Sequence, residues 1–370
     1  MQIMVEIVQP LNNRDQFKIP PPRGGLKRRV FDHVSFAEVI SLENLFLAWR
    51  EFRKGKRSKL DVQIFEYTLE DNILQLYQEL VSGVYRHGSY QQFRITDPKA
   101  RVISKSSIRD RLLHHAIYRI LYPNFDTTFV YDSYSCRNNK GTHKAFSRLT
   151  NLTRKISGNC TRPCFALKLD IRKFFDSIDH EILMDLLRQR IEDEQLLSLL
   201  QNIIDSFEHS PGKGMPLGNL TSQLFANIYL DPLDKFAKHK LKAKCYLRYA
   251  DDFAFLSSNP DELLGYLVEV NQFLKTKLKL NIHPNKIYLR KFNWGIDYVG
   301  YVALPHYNLS RQKTVKRIFR RVDRLLSTSD SGTLAKSLPS YLGYLQHASS
   351  HKLMAQLDRS ITDTALLIAE

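Results

Sequence analysis

Two adjacent carboxylates, Asp251 and Asp252, interrupt an apolar and aromatic stretch over residues 246–256. The pattern predicts a tight β-hairpin with both aspartates at its tip. Only a turn lets neighbouring side chains reach one point, because strand residues alternate between faces. Two acids in a buried turn need a positive charge between them, and a divalent cation with oxygen ligands commonly supplies it. A surface turn is the alternative, since Asp is a frequent turn residue.

A third carboxylate, Asp170, stands at the end of a predicted strand over residues 165–170. A turn into a helix follows it. The end of a strand is where a rigid sheet can place a metal ligand accurately. Because Asp170 lies far from Asp251 in the sequence, the fold has to bring them together, and the spacing alone does not show that it does.

The composition indicates a polyanionic partner. The 370 residues include 55 Lys and Arg against 38 Asp and Glu, which gives a formal net charge of +17. A surplus of this size favours nucleic acid as the partner. The alternative is a basic protein that binds no polyanion. Some of the 18 Tyr and 21 Phe could stack on single-stranded bases. Many of these rings are expected to lie in the hydrophobic core.

The cysteine spacing and the short apolar segments argue against a zinc protein and against a membrane or secreted protein. The four cysteines, at positions 136, 160, 164 and 245, form no Cys-X-X-Cys pair, so we expect reduced thiols and no zinc site. No apolar run reaches the length needed to cross a bilayer, and the N-terminus lacks a signal pattern. We therefore expect a cytoplasmic protein without a membrane partner.

Three polar segments could contact phosphate. Pro98 breaks a strand pattern and predicts a hairpin that carries Lys99 and Arg101, which could clamp a triphosphate or could simply be solvated. The loop over 133–143 offers Arg137 and Lys140. The Gly/Pro loop over 213–223 opens a helix, a geometry that suits close approach to phosphate but that an ordinary helix cap also explains.

Periodicity predicts the elements around these segments. Amphipathic helices are expected over 42–52, 65–80 and 108–120, with a helical hairpin over 179–206. Residues 286–290 and 297–302 read as two strands. A basic helix begins after Arg311 and could lie along a duplex backbone. Its cations are Lys313, Lys316, Arg317, Arg320, Arg321 and Arg324.

The ordered set of motifs resembles reverse transcriptases over residues 50–350. Residues 168–176 (Lys-Leu-Asp-Ile-Arg-Lys-Phe-Phe-Asp) resemble the first catalytic box of the bacterial, group II intron-like enzymes, and Tyr-Ala-Asp-Asp at 249–252 resembles the second. Group II intron enzymes usually read Pro-Gln-Gly and then Ser-Pro in the next box. Residues 217–223 have Leu for that Gln and Gln for that Pro, a variant similar to the enzymes of diversity-generating retroelements.

The resemblance implies an α+β right-hand polymerase fold with fingers, a palm that holds a small antiparallel sheet, and a helical thumb. An N-terminal extension would cover residues 1–34. Fingers would cover 35–160 with the 207–223 loop adjoining them. The palm would cover 161–304, and the thumb with a C-terminal tail 305–370.

The resemblance also implies RNA-directed DNA synthesis by two-metal nucleotidyl transfer, with errors at adenines. Asp170, Asp251 and Asp252, with the Ile171 carbonyl, would hold two Mg²⁺ ions, for which Mn²⁺ could substitute. The incoming nucleotide would contact Lys99, Arg101, Phe175, Leu217, Gly218 and Lys286. Phe175 matches the steric gate against the ribose 2′-hydroxyl, and core packing is its alternative.

The implied partners are template RNA, the RNA/cDNA duplex, deoxynucleoside triphosphates and an accessory variability protein, in a bacterial or phage-encoded system. A retron, defence-associated or group II intron-type reverse transcriptase is the nearest alternative. A non-catalytic RNA-binding or splicing factor is an alternative of another class. The three intact aspartates argue against it, because their charge would repel phosphate unless a metal intervened.

Overall fold

The computed structural model describes residues 31, 34–96, 99–328 and 330–369. The predicted extension over 1–34 lies outside this part of the chain, except for Phe31 and Val34. No described helix is long and apolar enough to cross a membrane.

The described residues fold into helices and short strands. The α-helices are α1 (Phe36–Ile40), α2 (Leu42–Phe52), α3 (Leu60–Tyr67), α4 (Leu69–Val81), α5 (Ile108–Asp126), α6 (Thr142–Ile156), α7 (Phe174–Ser177), α8 (His180–Arg188), α9 (Glu194–Asp205), α10 (Leu220–Lys235), α11 (Pro260–Lys277), α12 (Gln312–Ser327), α13 (Ser331–Gln346) and α14 (His351–Ala369). The strands are β1 (Gln91–Ile95), β2 (Arg101–Lys105), β3 (Phe165–Asp170), β4 (Tyr246–Tyr249), β5 (Asp252–Ser257), β6 (Tyr288–Lys291), β7 (Ile296–Tyr298), β8 (Tyr301–Ala303) and β9 (Asn308–Ser310).

A four-stranded antiparallel sheet in the order β4-β5-β3-β6 forms the centre of the fold. Both faces of the central strand β5 are covered, which explains why its residues 253–256 are all apolar. Phe253 and Phe255 of β5 join the larger core, which includes buried residues of α8, α10 and α11. Ala254 and Leu256 join a second core, to which α6 contributes Phe146 among others. Two smaller sheets, β1-β2 and β7-β8-β9, flank the centre.

The larger elements agree with the α+β architecture expected from the sequence, and two local predictions were wrong. The helix expected over 65–80 is two helices, because the chain turns at Thr68, whose ψ of 48° leaves the helical region. The strand expected over 297–302 is the hairpin β7-β8. Val299 and Gly300 take φ of 43° and 99° and reverse the chain, so apolar residues on both sides of a turn had looked like one strand.

A buried ion pair joins α10 to the central sheet. The side chains of Arg248 on β4 and Asp234 on α10 are both fully buried, and two guanidinium nitrogens each donate to an Asp234 oxygen at 2.7 Å. Arg248 also donates to Asn227 Oδ1 at 3.2 Å and to Ser133 Oγ at 3.0 Å. Tyr246 donates its hydroxyl to Asp234 at 2.6 Å. With these partners in place, the charges are compensated where no water reaches them.

Removing one charge of this pair should destabilise the whole fold. We expect Asp234→Asn to lower the free energy of unfolding by about 3–5 kcal/mol, because Arg248 would stay buried without its counter-charge. Asp185→Asn is the matched control, since it breaks the exposed Arg188–Asp185 pair and should cost less than about 1 kcal/mol. Urea unfolding midpoints of the two variants compare them. Equal midpoints would contradict the structural weight given to the buried pair.

Candidate active site

The central sheet brings the three predicted aspartates to one end. The antiparallel register of β3 and β5 places Asp170 opposite Asp252, and Asp251 lies in the turn between β4 and β5. The turn is tied to the end of β3, because the Ile171 amide donates to the Asp251 carbonyl at 3.2 Å. The predicted hairpin is therefore present, with Asp251 at its tip and Asp252 as the first residue of the outgoing strand.

The tip of this hairpin has a fixed backbone. Ala250 takes a left-handed φ of 55°, which small residues tolerate in turns more readily than branched ones. The buried Arg248 donates to the Ala250 carbonyl at 3.1 Å. Arg248 and Asp234 thus support the turn, and sequence reasoning missed both. The available signal was an Arg in an apolar strand and an Asp in the last turns of an apolar helix.

Lysines neutralise two of the three carboxylates. Lys168 Nζ lies 3.0 Å from Asp252 Oδ2, and Lys286 Nζ lies 2.7 Å from Asp170 Oδ1. Burial raises the pKa of Asp252 to about 6, although the charge of Lys168 opposes the rise. Burial, and secondarily the charge of Asp170, raise the pKa of Asp251. The site therefore holds negative charge that its surroundings only partly compensate.

The donor set fits hard divalent cations. Carboxylate and carbonyl oxygens are the ligands that Mg²⁺ prefers, and Asp252 Oδ1 is buried without a hydrogen-bond partner among the described residues. No group of three or more His, Cys, Asp or Glu side chains in the described ranges is arranged to hold a metal ion. Lys168 and Lys286 each contact one oxygen of Asp252 and Asp170, respectively, so a cation that bound the same oxygens would displace them, whereas Asp252 Oδ1 carries no such contact.

The predicted β1-β2 hairpin faces this site. Lys99 is exposed in the connection between the strands, and Arg101 is the first residue of β2. Burial raises the pKa of Asp251, and the positive charges of Lys286 and Arg101 partly oppose that rise. The charge of Arg101 therefore acts on this site, and the predicted contact of Lys99 and Arg101 with a triphosphate stays a prediction.

The loop before α10 packs beneath the same hairpin. The Ser104 amide donates to the Leu217 carbonyl at 2.9 Å, and Leu217 is half-buried. Gly218 takes φ of 120°, and a Cβ at this position would lie 2.8 Å from Ile103 Cγ2. Glycine is required here both by conformation and by the close approach of β2.

Phe175 is half-buried at the start of the helix after β3. Its ring contacts Phe174 edge-to-face at 5.3 Å, and its carbonyl accepts from the Met215 amide at 2.8 Å. The residue therefore ties α7 to the segment that leads into the Leu217 loop. Both interpretations of Phe175, as a steric gate and as a core residue, are compatible with a ring that is only partly covered.

Arg137 does not match its predicted role. The guanidinium donates to Asp126 Oδ1 at 2.6 Å, to the Val130 carbonyl at 2.8 Å and to the Ser133 carbonyl at 3.1 Å. Its side chain is only 6% exposed. Arg137 closes the loop over 126–137, so its donors are used within the protein and are not offered to phosphate.

The predicted basic helix is α12. Ile318, Val322 and Leu325 are buried on one side. The opposite side carries a row of exposed cations, and two further arginines are half-buried at its edge. The exposed residues are Lys313, Lys316, Arg320 and Arg324, and the half-buried ones are Arg317 and Arg321.

A side chain at position 218 would collide with β2. We expect Gly218→Ala to displace Ile103 and to weaken the Ser104–Leu217 hydrogen bond, so that amide hydrogen exchange in residues 101–105 becomes faster. Gly212→Ala is the matched control, because Gly212 also has a positive φ of 67° but open space where its Cβ would lie. Hydrogen exchange measured by mass spectrometry distinguishes backbone strain, which both variants introduce, from the steric clash with Ile103, which only Gly218→Ala introduces. Equal exchange rates of β2 in the two variants would contradict the packing described.

Comparison with known proteins supports the motif analysis. The family model described as reverse transcriptase (RNA-dependent DNA polymerase) matches residues 95–303, more than half of the chain and all three aspartates.

Individual relatives are distant. Protein YkfC of Escherichia coli K12 is 24% identical over 61% of this chain and 69% of its own length. The group II intron-encoded protein LtrA of Lactococcus lactis subsp. cremoris is 23% identical over 70% of this chain, which spans about half (53%) of LtrA. Among solved structures, apo telomerase from Candida tropicalis, truncated from its C-terminal domain, aligns with a TM-score of 0.45 and 14% identity over 65% of this chain and 59% of its own. The family match establishes that this chain belongs to the reverse transcriptase family.

Proposed function

We propose that this protein is an RNA-directed DNA polymerase that makes cDNA from an RNA template. The observation that carries the proposal is the register of β3 and β5, which sets Asp170 opposite Asp252 and beside Asp251. A fold that only bound RNA would gain nothing from three carboxylates at one point, because they repel the phosphate backbone.

Asp170, Asp251 and Asp252, with the Ile171 carbonyl, are the groups that would hold two divalent cations. Bound Mg²⁺, or Mn²⁺ in its place, supplies charge that lowers the pKa of the primer 3′-hydroxyl and neutralises the triphosphate. Lys286 and Lys168 contact two of these carboxylates in the structure. A cation that bound the same oxygens would displace them, and both lysines could then contact the phosphates of the substrate.

The neighbouring segments bind and orient the substrates in this proposal. Lys99 and Arg101 contact the triphosphate from the β1-β2 hairpin. The Leu217–Gly218 loop lies against the incoming nucleotide, and Phe175 excludes the ribose 2′-hydroxyl. The exposed cations of α12 hold the backbone of the RNA/cDNA duplex, an interaction that weakens as salt rises.

We further propose that the enzyme serves a diversity-generating retroelement of a bacterium or phage. The support is Leu217, which replaces the Gln of group II intron enzymes. The loss of an amide at this position removes a hydrogen bond and loosens the positioning of the nucleotide. In this role the enzyme acts with an accessory variability protein and makes errors at template adenines. A group II intron-type enzyme is the second candidate, favoured by the similarity to LtrA.

The activity can be tested by incorporation of labelled deoxynucleotides on a primed RNA template with Mg²⁺. We expect Asp251→Asn to lower incorporation on the order of 10³-fold, because several kcal/mol of charge stabilisation by metal are lost. Asp71→Asn, at an exposed position in the first turn of α4, is the matched control and should retain the wild-type rate. Equal incorporation by Asp251→Asn and the wild type would contradict the proposed role of Asp251 in nucleotidyl transfer.

The role of Leu217 in fidelity can be tested separately. We expect Leu217→Gln to restore one hydrogen bond and to reduce misincorporation at adenines roughly 2–10-fold, since such a bond contributes about 0.5–1.5 kcal/mol. Leu217→Met keeps the volume without an amide and should leave the error rate unchanged. Sequencing of cDNA from a defined template measures both variants. If Leu217→Gln makes as many errors at adenines as the wild type, Leu217 does not set fidelity.

A further inference from the structure

Two segments without any acidic residue meet on one side of the central sheet. Residues 133–169 and 235–250 contain no Asp or Glu, whereas each contains several Lys and Arg. Helix α6 belongs to the first segment and strand β4 to the second, and α6 packs on β4. The fold therefore concentrates positive charge from both segments. Of these cations, only Lys168 belongs to the substrate contacts proposed above.

The outer side of α6 carries a row of cations. Phe146, Leu149 and Leu152 on its inner side are buried against the sheet. Lys144, Arg148 and Lys155 lie four and then seven residues apart on the opposite side, a spacing that aligns them along the helix. Lys144 and Lys155 are exposed, and the Arg148 side chain is 37% exposed. At 1.5 Å per residue the row is about 16 Å long.

The segment before β4 extends this row. Arg148 Nε and Lys238 Nζ both contact the buried carboxylate of Asp132, at 2.8 Å and 3.2 Å. Burial raises the pKa of the Cys245 thiol, and the charges of Lys238, Lys155 and Arg148 all oppose that rise. Further exposed lysines continue from there, at Lys240, Lys242 and Lys244. We call the whole patch, with Lys144, Arg148, Lys155 and Lys238, the α6 surface.

An exposed aromatic ring lies at the edge of the α6 surface. Tyr131 is 70% exposed, Lys140 Nζ lies 3.5 Å from its ring centroid, and the Arg148 guanidinium carbon lies 5.7 Å from it. An exposed ring between cations is the arrangement on which nucleic-acid bases stack. An acidic protein would need an apolar core to its interface, yet α6 has no exposed large hydrophobic residue in its described sequence.

We propose that the α6 surface binds the phosphate backbone of RNA at a second site, separate from the template strand in the active site. The exposed lysines at 240–244 precede β4, whose other end carries the catalytic turn. Lys244 and Asp251 are thus at most about 23 Å apart, at roughly 3.3 Å per residue of extended chain. An RNA held there would be a folded part of the template molecule. The inference rests on the proposed function only in taking RNA as the partner.

The test compares two variants of the full chain with equal net charge. The surface variant is Lys144→Gln, Lys155→Gln, Lys240→Gln and Lys242→Gln combined. The scattered control removes four exposed lysines elsewhere, by Lys54→Gln, Lys59→Gln, Lys275→Gln and Lys336→Gln. Fluorescence anisotropy at several salt concentrations measures binding to a labelled RNA stem–loop that has no primer end. No nucleotide is added, so this assay is independent of polymerase activity.

We expect the surface variant to bind the stem–loop at least about tenfold more weakly than the control at low salt. The slope of log K against log salt should become shallower by about 3, because each phosphate contact contributes about 0.7–0.9. Extension of a short primer–template, which reaches only the active site, should be unchanged. Equal loss in both variants would show an effect of net charge and would overturn the proposal. Unchanged RNA binding by the surface variant would also overturn it and would favour an acidic protein as the partner.

Discussion

Like charges placed directly opposite each other on neighbouring strands repel, and this fold is built around such a pair. Asp170 and Asp252 face each other across β3 and β5, with Asp251 in the adjoining turn. Lys168 and Lys286 each compensate one carboxylate from within the protein. The arrangement keeps negative charge concentrated at one end of the sheet, and its carboxylate oxygens are the ligand type that divalent cations such as Mg²⁺ prefer. The surrounding structure holds these carboxylates close together against their mutual repulsion.

The support comes from packing on both faces of the sheet and from one buried polar network. Arg248 links three parts of the chain: Asp234 on α10, Ser133 in the loop before α6, and the Ala250 carbonyl in the turn between β4 and β5. A hydrophobic residue could fill the same space, but it could not donate to a carbonyl at the tip of the hairpin. The network thus holds the backbone of the turn through the Ala250 carbonyl, and the buried residues of β5 anchor the strand that follows the turn.

Much of the site could be predicted from the sequence because its signals are local. The Asp251–Asp252 hairpin and the strand that ends at Asp170 each read from a few consecutive residues. Contacts between distant segments gave no such signal. Arg248 looked like one polar residue in an apolar strand, because its partner Asp234 lies on another element. Arg137 looked available to phosphate, because only the folded loop shows the oxygens that occupy its donors.

The central claim is that the three carboxylates take up two divalent cations in exchange for their lysines. Anomalous diffraction from crystals grown with Mn²⁺, a primer–template and an incoming nucleotide tests it most directly. We expect two manganese peaks about 3.5–4 Å apart among the carboxylates, with Lys168 and Lys286 moved onto phosphate oxygens. A substrate-bound structure in which no metal lies near Asp170 and both lysines keep their present partners would contradict the account.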